Sequence, residues 1–260
     1  MARRKATSDG RKTQAVDPYR VVEPKQQDAN RREHAHVFRE KGYRCDTDTR
    51  GFANAGNRSP LRLVVDASEG FIPLWAKGVT LRWKFRDQSV SHFASPDEAK
   101  GAIRDLLGAA LLLWGNASPI KFSERNDAWD FEIVVEPKND CDVAGCVLAS
   151  AFFPDQGRHQ LYIYPMTFTE PKQEQIETLA HELGHVFGLR HFFAQIEETQ
   201  WRSEIFGKHR PFSIMNYGAK SVMTRQDRSD LKTLYTKAWS GDLTNINGTP
   251  IKFVKPYHTT

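Results

Sequence analysis

The segment from residue 181 to residue 191 reads His181-Glu182-Leu183-Gly184-His185-Val186-Phe187-Gly188-Leu189-Arg190-His191. His181 and His185 are four residues apart, so on a helix their side chains lie on one face, one turn from each other. Glu182 lies beside that face. Gly188 can adopt a positive φ, which would end the helix and let His191 approach the same point from outside. The spacing therefore predicts three imidazoles around one cation.

The same segment predicts a catalytic zinc site rather than a structural one. Three neutral nitrogen ligands, from His181, His185 and His191, leave the fourth tetrahedral position of Zn²⁺ open. A zinc ion held in this way lowers the pKa of its bound water to near 7 and polarises a carbonyl. Glu182 would then take the proton of the attacking water and pass a proton to the leaving amine. Histidines that merely pack in a core or face solvent have no reason to fall at these offsets.

Hydrophobic spacing predicts a mixed α/β domain over residues 79–240. Strands are predicted at 79–85, where apolar and polar residues alternate, and at 131–135, 147–153 and 161–164, each of which is stopped by a Pro. Helices are predicted from Pro96 to Trp114, from 172 to 187 and from 225 to 239. Ser95 and Glu98 have the spacing of a capping box at the start of the first of these helices.

The two ends of the chain have a different composition. Residues 1–60 form a polar, basic extension that we expect to be disordered or propeptide-like, and residues 61–78 a linker with a short strand at 61–65. Residues 241–260 have no clear period and are interpreted as a tail. The net charge of the chain is +5, and residues 1–50 account for it with 13 basic and 8 acidic residues. Those charges are scattered among Gln, Asp and Asn, so we expect a solvated extension and no nucleic acid partner.

The sequence indicates neither a membrane span nor an export signal. Its apolar runs are too short to cross a bilayer, and its mean hydropathy is −0.59. No apolar stretch follows the charged start, so a signal peptide is not expected in the chain as written. Nothing in the sequence indicates an oligomeric state.

The three cysteines are Cys45, Cys141 and Cys146. An odd number leaves at least one thiol unpaired in a monomer. Cys141 and Cys146 are close enough in sequence to close a small loop, and whether they do so depends on the redox compartment.

The long histidine motif resembles that of the metzincin metallopeptidases. Ser213-Ile214-Met215-Asn216-Tyr217 is similar to their Met-turn, in which Met215 would lie beneath the metal. Among metzincins the order of elements over residues 79–240 resembles the matrixin catalytic domain. The resemblance implies a zincin-type α/β (α+β) fold, with a small twisted mixed sheet, an active-site helix, a backing helix and a C-terminal helix.

The same resemblance implies a zinc metalloendopeptidase that acts on polypeptides. It implies one catalytic Zn²⁺, and a substrate backbone that pairs with an edge strand containing Ala149, Ser150 and Ala151. The family is mostly secreted, so the resemblance implies an extracellular protein although the chain shows no signal peptide.

Several residues depart from the matrixin pattern. Phe192 follows the third histidine, where matrixins have Ser. Tyr217, two residues after Met215, is similar to the tyrosine that serves astacins and serralysins as a fifth ligand or oxyanion stabiliser. In the region of the matrixin structural zinc and Ca²⁺ sites, only Asp155 and His159 could serve as ligands, which is too few for a closed four-ligand site.

Cys45 lies upstream of the domain and is similar to the matrixin cysteine that blocks the zinc. It is therefore a candidate latency thiol, and a free linker thiol is the alternative interpretation.

Two other function classes fit parts of the sequence. One is a protein-binding module that keeps zinc and does not cut, although Glu182 has no purpose there. The other is an anionic-surface or nucleic acid binder that works through residues 1–50.

Overall fold

The computed structural model describes residues 17–19, 63–67, 70–142, 145–191, 203–206, 213–215 and 221–260. The helices are α1 (Asp87–Val90), α2 (Pro96–Trp114), α3 (Lys172–Val186) and α4 (Arg225–Ser240). The strands are β1 (Leu63–Asp66), β2 (Ile72–Trp75), β3 (Thr80–Phe85), β4 (Lys121–Glu124), β5 (Phe131–Val135), β6 (Asp140–Asp142), β7 (Gly145–Val147), β8 (Ala149–Ser150), β9 (His159–Ile163), β10 (Leu189–Arg190), β11 (Ser203–Phe206), β12 (Asn245–Ile246) and β13 (Thr249–Val254). Short 3-10 turns lie at Gly115–Ala117, Pro165–Thr169 and Tyr257–Thr259.

A five-stranded mixed sheet forms the centre of the fold, in the order β4-β3-β5-β9-β8. Four strands are parallel, and only the edge strand β8 is antiparallel to its neighbour β9. Every residue of β5 is buried, as expected for a central strand that is covered on both faces. On β3, by contrast, buried and half-buried residues alternate. The mixed α/β architecture and the strand at 131–135 are confirmed.

The backing helix α2 packs against the active-site helix α3. Its apolar stripe is buried and includes Ile103, Leu107 and Trp114, which confirms the helix predicted from spacing. The Trp114 indole Nε1 donates a 2.8 Å hydrogen bond to the Ala180 carbonyl, which joins the two helices. The predicted capping box is wrong, because Ser95 is the N-cap residue but its side chain makes no capping bond.

The predicted single strand at 147–153 is also wrong. Val147 pairs with Asp140 in the β6–β7 hairpin, whereas Ala149 pairs with Ile163 in the central sheet. The chain thus changes sheets at Leu148, and it leaves strand geometry after Ser150. A continuous apolar run cannot reveal such a change, because both sheets bury its side chains.

Segments outside 79–240 add two smaller sheets to the domain. β1 lies between β10 and β11, and β13 lies between β12 and β2. β13 runs parallel to β2, with Phe253 opposite Leu74. β1 overlaps the short strand expected at 61–65, whereas β2, β12 and β13 lie in segments that the sequence assigned to a linker and a tail. No helix among the described residues is long and apolar enough to cross a bilayer.

Candidate metal centre

Three histidine side chains converge at the end of α3. The Nε2 atom of His191 lies 2.9 Å from that of His181 and 3.2 Å from that of His185, and the latter two Nε2 atoms are 3.2 Å apart. His185 and His191 are fully buried, and His181 is half-buried. In the described part of the chain, this is the one group of ligand-type side chains that could hold a metal ion.

Backbone carbonyls fix the orientation of two of the rings. His181 Nδ1 lies 2.7 Å from the Ile214 oxygen, and His185 Nδ1 lies 2.7 Å from the Leu189 oxygen. A carbonyl can only accept a hydrogen bond, so each Nδ1 must donate. A neutral imidazole that donates from Nδ1 has a lone pair and no proton at Nε2. The carbonyls therefore set the tautomer in which Nε2 is the ligand atom.

The donor set fits a divalent cation. Lone pairs that face each other at about 3 Å repel unless a positive charge lies between them. Nitrogen ligands placed 2.0–2.1 Å from a tetrahedral zinc lie roughly 3.3 Å from one another, close to the observed separations. Imidazole nitrogens also suit zinc better than Ca²⁺ or Mg²⁺, which prefer oxygen. The cluster could therefore hold zinc through Nε2 of His181, His185 and His191.

Gly188 ends the helix and returns the chain to the site. Its φ is +90°, a conformation that side chains disfavour. The Gly188 amide donates to the His185 carbonyl at 2.8 Å, and β10 follows immediately. This turn places His191 opposite the two helical histidines, as the sequence predicted.

The turn that contains Met215 lies under α3 and is fully buried. A Cβ atom built on Gly184 would lie 2.2 Å from the Met215 Sδ, so the methionine packs directly against the helix between the two histidines. The neighbouring Ile214 supplies the carbonyl that orients His181.

Asp227 holds this turn in place, and it was not among the residues predicted from the sequence. The Ser213 hydroxyl donates to Asp227 Oδ1 at 2.6 Å and accepts from the Met215 amide at 3.1 Å. Asp227 is almost fully buried at the start of α4. The spacing of Thr224 and Asp227, three residues apart before an apolar helix, was the available signal.

Glu182 is on the helix that contains His181 and His185, and the predicted substrate strand contacts the same helix. Glu182 follows His181 on α3 and is 2% exposed. Ala149 and Ser150 form β8 at the edge of the central sheet, and β8 contacts α3. Ala151 follows the strand and is half-buried.

The region of the second candidate metal site contains no ligand cluster among the described residues. His159 is buried in β9, where its ring stacks on Phe152 with the centroids 4.4 Å apart. Asp155 accepts a hydrogen bond from the Gly157 amide. These two side chains are therefore used in local packing and turn formation.

The cysteines and Tyr217 are the remaining residues that the sequence singled out as candidates for the site. Cys141 and Cys146 form a disulfide across the β6–β7 hairpin. Cys45, Tyr217 and Phe192 lie outside the described residues, as does nearly all of the N-terminal extension.

Comparison with known proteins agrees with this geometry. The matrixin family of peptidases matches residues 74–197, which contain the central sheet, α2, α3 and the three histidines. Stromelysin-3 of Rattus norvegicus is 29% identical over 121 residues, which cover 42% of this chain and 25% of the relative. The chain thus spans about a quarter of the length of that curated relative. The family match and the histidine geometry together support a matrixin-like catalytic domain that includes residues 74–197.

Proposed function

We propose that this protein is a zinc-dependent endopeptidase. The observation that carries the proposal is the convergence of three Nε2 atoms within 3.2 Å, with two rings oriented by backbone carbonyls. This arrangement uses three protein ligands, and catalytic zinc sites have three protein ligands and one open position.

The mechanism follows from the residues around that cluster. A zinc ion bound there supplies Lewis acidity, which polarises the scissile carbonyl and makes water a nucleophile at neutral pH. Glu182 accepts the proton of the attacking water and delivers it to the leaving amine. Its burial at 2% exposure supports this role, because a shielded carboxylate is positioned with little competition from bulk water.

The substrate of the proposed enzyme is an extended polypeptide. β8 is an edge strand, and a peptide that pairs with it antiparallel would extend the central sheet. Ala149 and Ser150 would contribute backbone hydrogen bonds, with Ala151 at the end of the strand. Small side chains there leave room for the side chains of the substrate. The contact between β8 and α3 supports cleavage close to the paired strand.

Three further roles belong to the same proposal. Met215 forms the apolar floor beneath the histidines, and its packing against Gly184 supports this role. Tyr217 acts as a fifth ligand or stabilises the oxyanion. Cys45 blocks the zinc in the latent enzyme. The last two roles rest on the family resemblance.

We also propose that the protein acts in an oxidising, extracellular compartment. The disulfide between Cys141 and Cys146 supports this, because such bonds persist mainly outside the reducing cytosol.

The test is a comparison of Glu182→Gln with the parent chain. We expect the variant to bind one zinc per chain and to hydrolyse unfolded protein about 10²–10⁴-fold more slowly, since it lacks the base. Glu177→Gln, on the same helix, is the matched control and should cut at the parent rate. Equal cleavage by Glu182→Gln would disprove the mechanism. A parent chain that binds zinc and cuts nothing would instead indicate a non-catalytic binding module.

A further inference from the structure

Strand β1 lies directly beside the segment that delivers the third histidine. β1 pairs antiparallel with β10, with Val64 opposite Arg190 and Val65 opposite Leu189. The Asp66 amide also donates to the Gly188 carbonyl at 3.0 Å. β1 thus supports the turn and the two-residue strand that connect α3 to His191, although it lies before the region matched by the matrixin family.

A buried ion pair strengthens this contact. Arg190 Nη1 donates to Asp66 Oδ1 at 3.1 Å, and the two side chains are 0% and 4% exposed. A buried guanidinium without a nearby carboxylate would be strongly unfavourable, so the position of Arg190 depends on Asp66. The two residues are 124 positions apart in the sequence.

Arg190 is connected to two of the three metal-ligand candidates. It directly precedes His191 in the chain, so the position of its backbone determines where the His191 side chain starts. Its guanidinium lies 5.3 Å from the ring centroid of Phe153, and that ring packs edge-on against His185. The adjacent Leu189 carbonyl accepts the Nδ1 hydrogen of His185. A shift of β10 would therefore move or reorient both imidazoles.

We propose that Asp66 is a positioning residue of the metal centre, and that it acts through its buried ion pair with Arg190 to fix His185 and His191. On this basis the upstream strand Leu63–Asp66 supports the zinc site. The inference rests on zinc binding by the histidine cluster in the proposed function, but not on peptide cleavage. It also requires that any removal of the N-terminal extension stop before Leu63.

The test measures zinc affinity of the full chain without substrate. The double variant Asp66→Leu/Arg190→Met replaces both members of the ion pair with apolar side chains, so neither charge of the pair is left buried without the other and the variant should fold. We expect its zinc Kd, from competition with a chelating dye, to be about 10–100-fold weaker than the parent value. The visible absorption band of the Co²⁺-loaded protein should also change, because the ligand geometry is altered.

The control separates positioning from general stability. Asp130 is also a buried carboxylate, paired with His258 at 2.8 Å on another part of the fold. Asp130→Asn should lower the Tm and leave the zinc Kd and the Co²⁺ spectrum at parent values.

Two outcomes would overturn the proposal. One is a folded double variant with the parent zinc Kd and Co²⁺ spectrum. If the double variant does not fold, Asp66→Asn, which removes the carboxylate charge at nearly constant size, replaces it in the test. A parent-like Kd and spectrum there would be equally decisive. Loss of zinc affinity in a protein that never cleaves peptides would support the positioning role and refute the endopeptidase proposal.

Discussion

Gly184 lies between the first two histidines of the motif, and its importance comes from packing. Its ideal Cβ would lie 2.2 Å from the Met215 Sδ and 3.3 Å from the Trp114 ring. Because Gly184 is inside α3, glycine is not needed there to allow a positive φ. The absence of a side chain thus lets the Met215 turn approach the helix that carries two of the three histidines.

We predict that Gly184→Ala destabilises the protein by about 1–3 kcal/mol, because the added methyl group overpacks the contact with Met215. The measurement is urea unfolding of the zinc-loaded chain. Gly108→Ala is the matched control on α2, where a Cβ meets nothing within 4 Å. It should stabilise the protein by up to about 1 kcal/mol, since Ala is the better helix former. A Gly184→Ala variant as stable as the parent would contradict the packing argument.

At the scale of elements, α4 and α2 begin in different ways. The Thr224 hydroxyl accepts a hydrogen bond from the Asp227 amide at 3.1 Å, and the Asp227 carboxylate accepts one from the Thr224 amide at 2.8 Å. This reciprocal capping box also fixes the carboxylate that holds Ser213 in the Met215 turn. At the start of α2, the Ser95 side chain makes no such bond. The start of α4 therefore supports the metal centre as well as the helix.

We predict that Thr224→Ala lowers the free energy of unfolding by about 1 kcal/mol, because it removes the side-chain acceptor for the N3 amide. Ser95→Ala serves as the control and should change that free energy by less than about 0.5 kcal/mol. Both values come from urea titration followed by circular dichroism. Equal losses in the two variants would mean that capping is not the source of the effect.

At the scale of the whole molecule, Tyr235 joins three separate parts of the chain. Its hydroxyl donates to the Phe187 carbonyl after α3 at 3.1 Å and accepts from the Trp75 amide in β2 at 3.3 Å. Trp239, one turn later on α4, donates to the Trp75 carbonyl. Tyr235 is almost fully buried, and burial raises the pKa of its phenol.

This raised pKa predicts a loss of stability at alkaline pH. The folded state keeps the Tyr235 proton at a pH where the unfolded chain, with a pKa near 10, has lost it. The contribution is therefore fully present below about pH 10 and is lost as the pH rises through the folded pKa. We expect Tyr235→Phe to reduce the slope of unfolding free energy against pH above 10. The same slope in parent and variant would exclude Tyr235 as the cause.

The substitution Tyr19→Phe tests whether a second phenol also contributes to the loss of stability at alkaline pH. The Tyr19 ring stacks on Phe168 with the centroids 4.2 Å apart, and burial, with a smaller effect of Asp105, raises its pKa to about 12. It should contribute to the alkaline slope in the same direction as Tyr235, because its folded pKa is also above the unfolded value.

The C-terminal segment packs against the central part of the domain. His258 bonds the buried Asp130 carboxylate, and the Arg158 guanidinium lies 4.4 Å from the ring centroids of both Trp129 and Tyr257. Together with the parallel pairing of β13 and β2, these contacts make residues 245–259 part of the domain.

Local spacing in the sequence determined the three long helices, the strand at 131–135, the turn at Gly188 and the three histidines. These features follow from residues a few positions apart, since the helical period and the conformational freedom of glycine act over one or two turns. The disulfide was left open by the sequence, because its formation depends on which strands pair and on the compartment.

Only the tertiary structure decided what supports the site. Asp66 reaches Arg190 across 124 residues, and β13 pairs with a strand at the other end of the domain. Strands of two residues, such as β8 and β10, are too short to show a period, and their partners are set by which chain segments meet in the folded state. The candidate ligands could therefore be predicted from local pattern, whereas the residues that hold them depend on long-range contacts that no local pattern encodes.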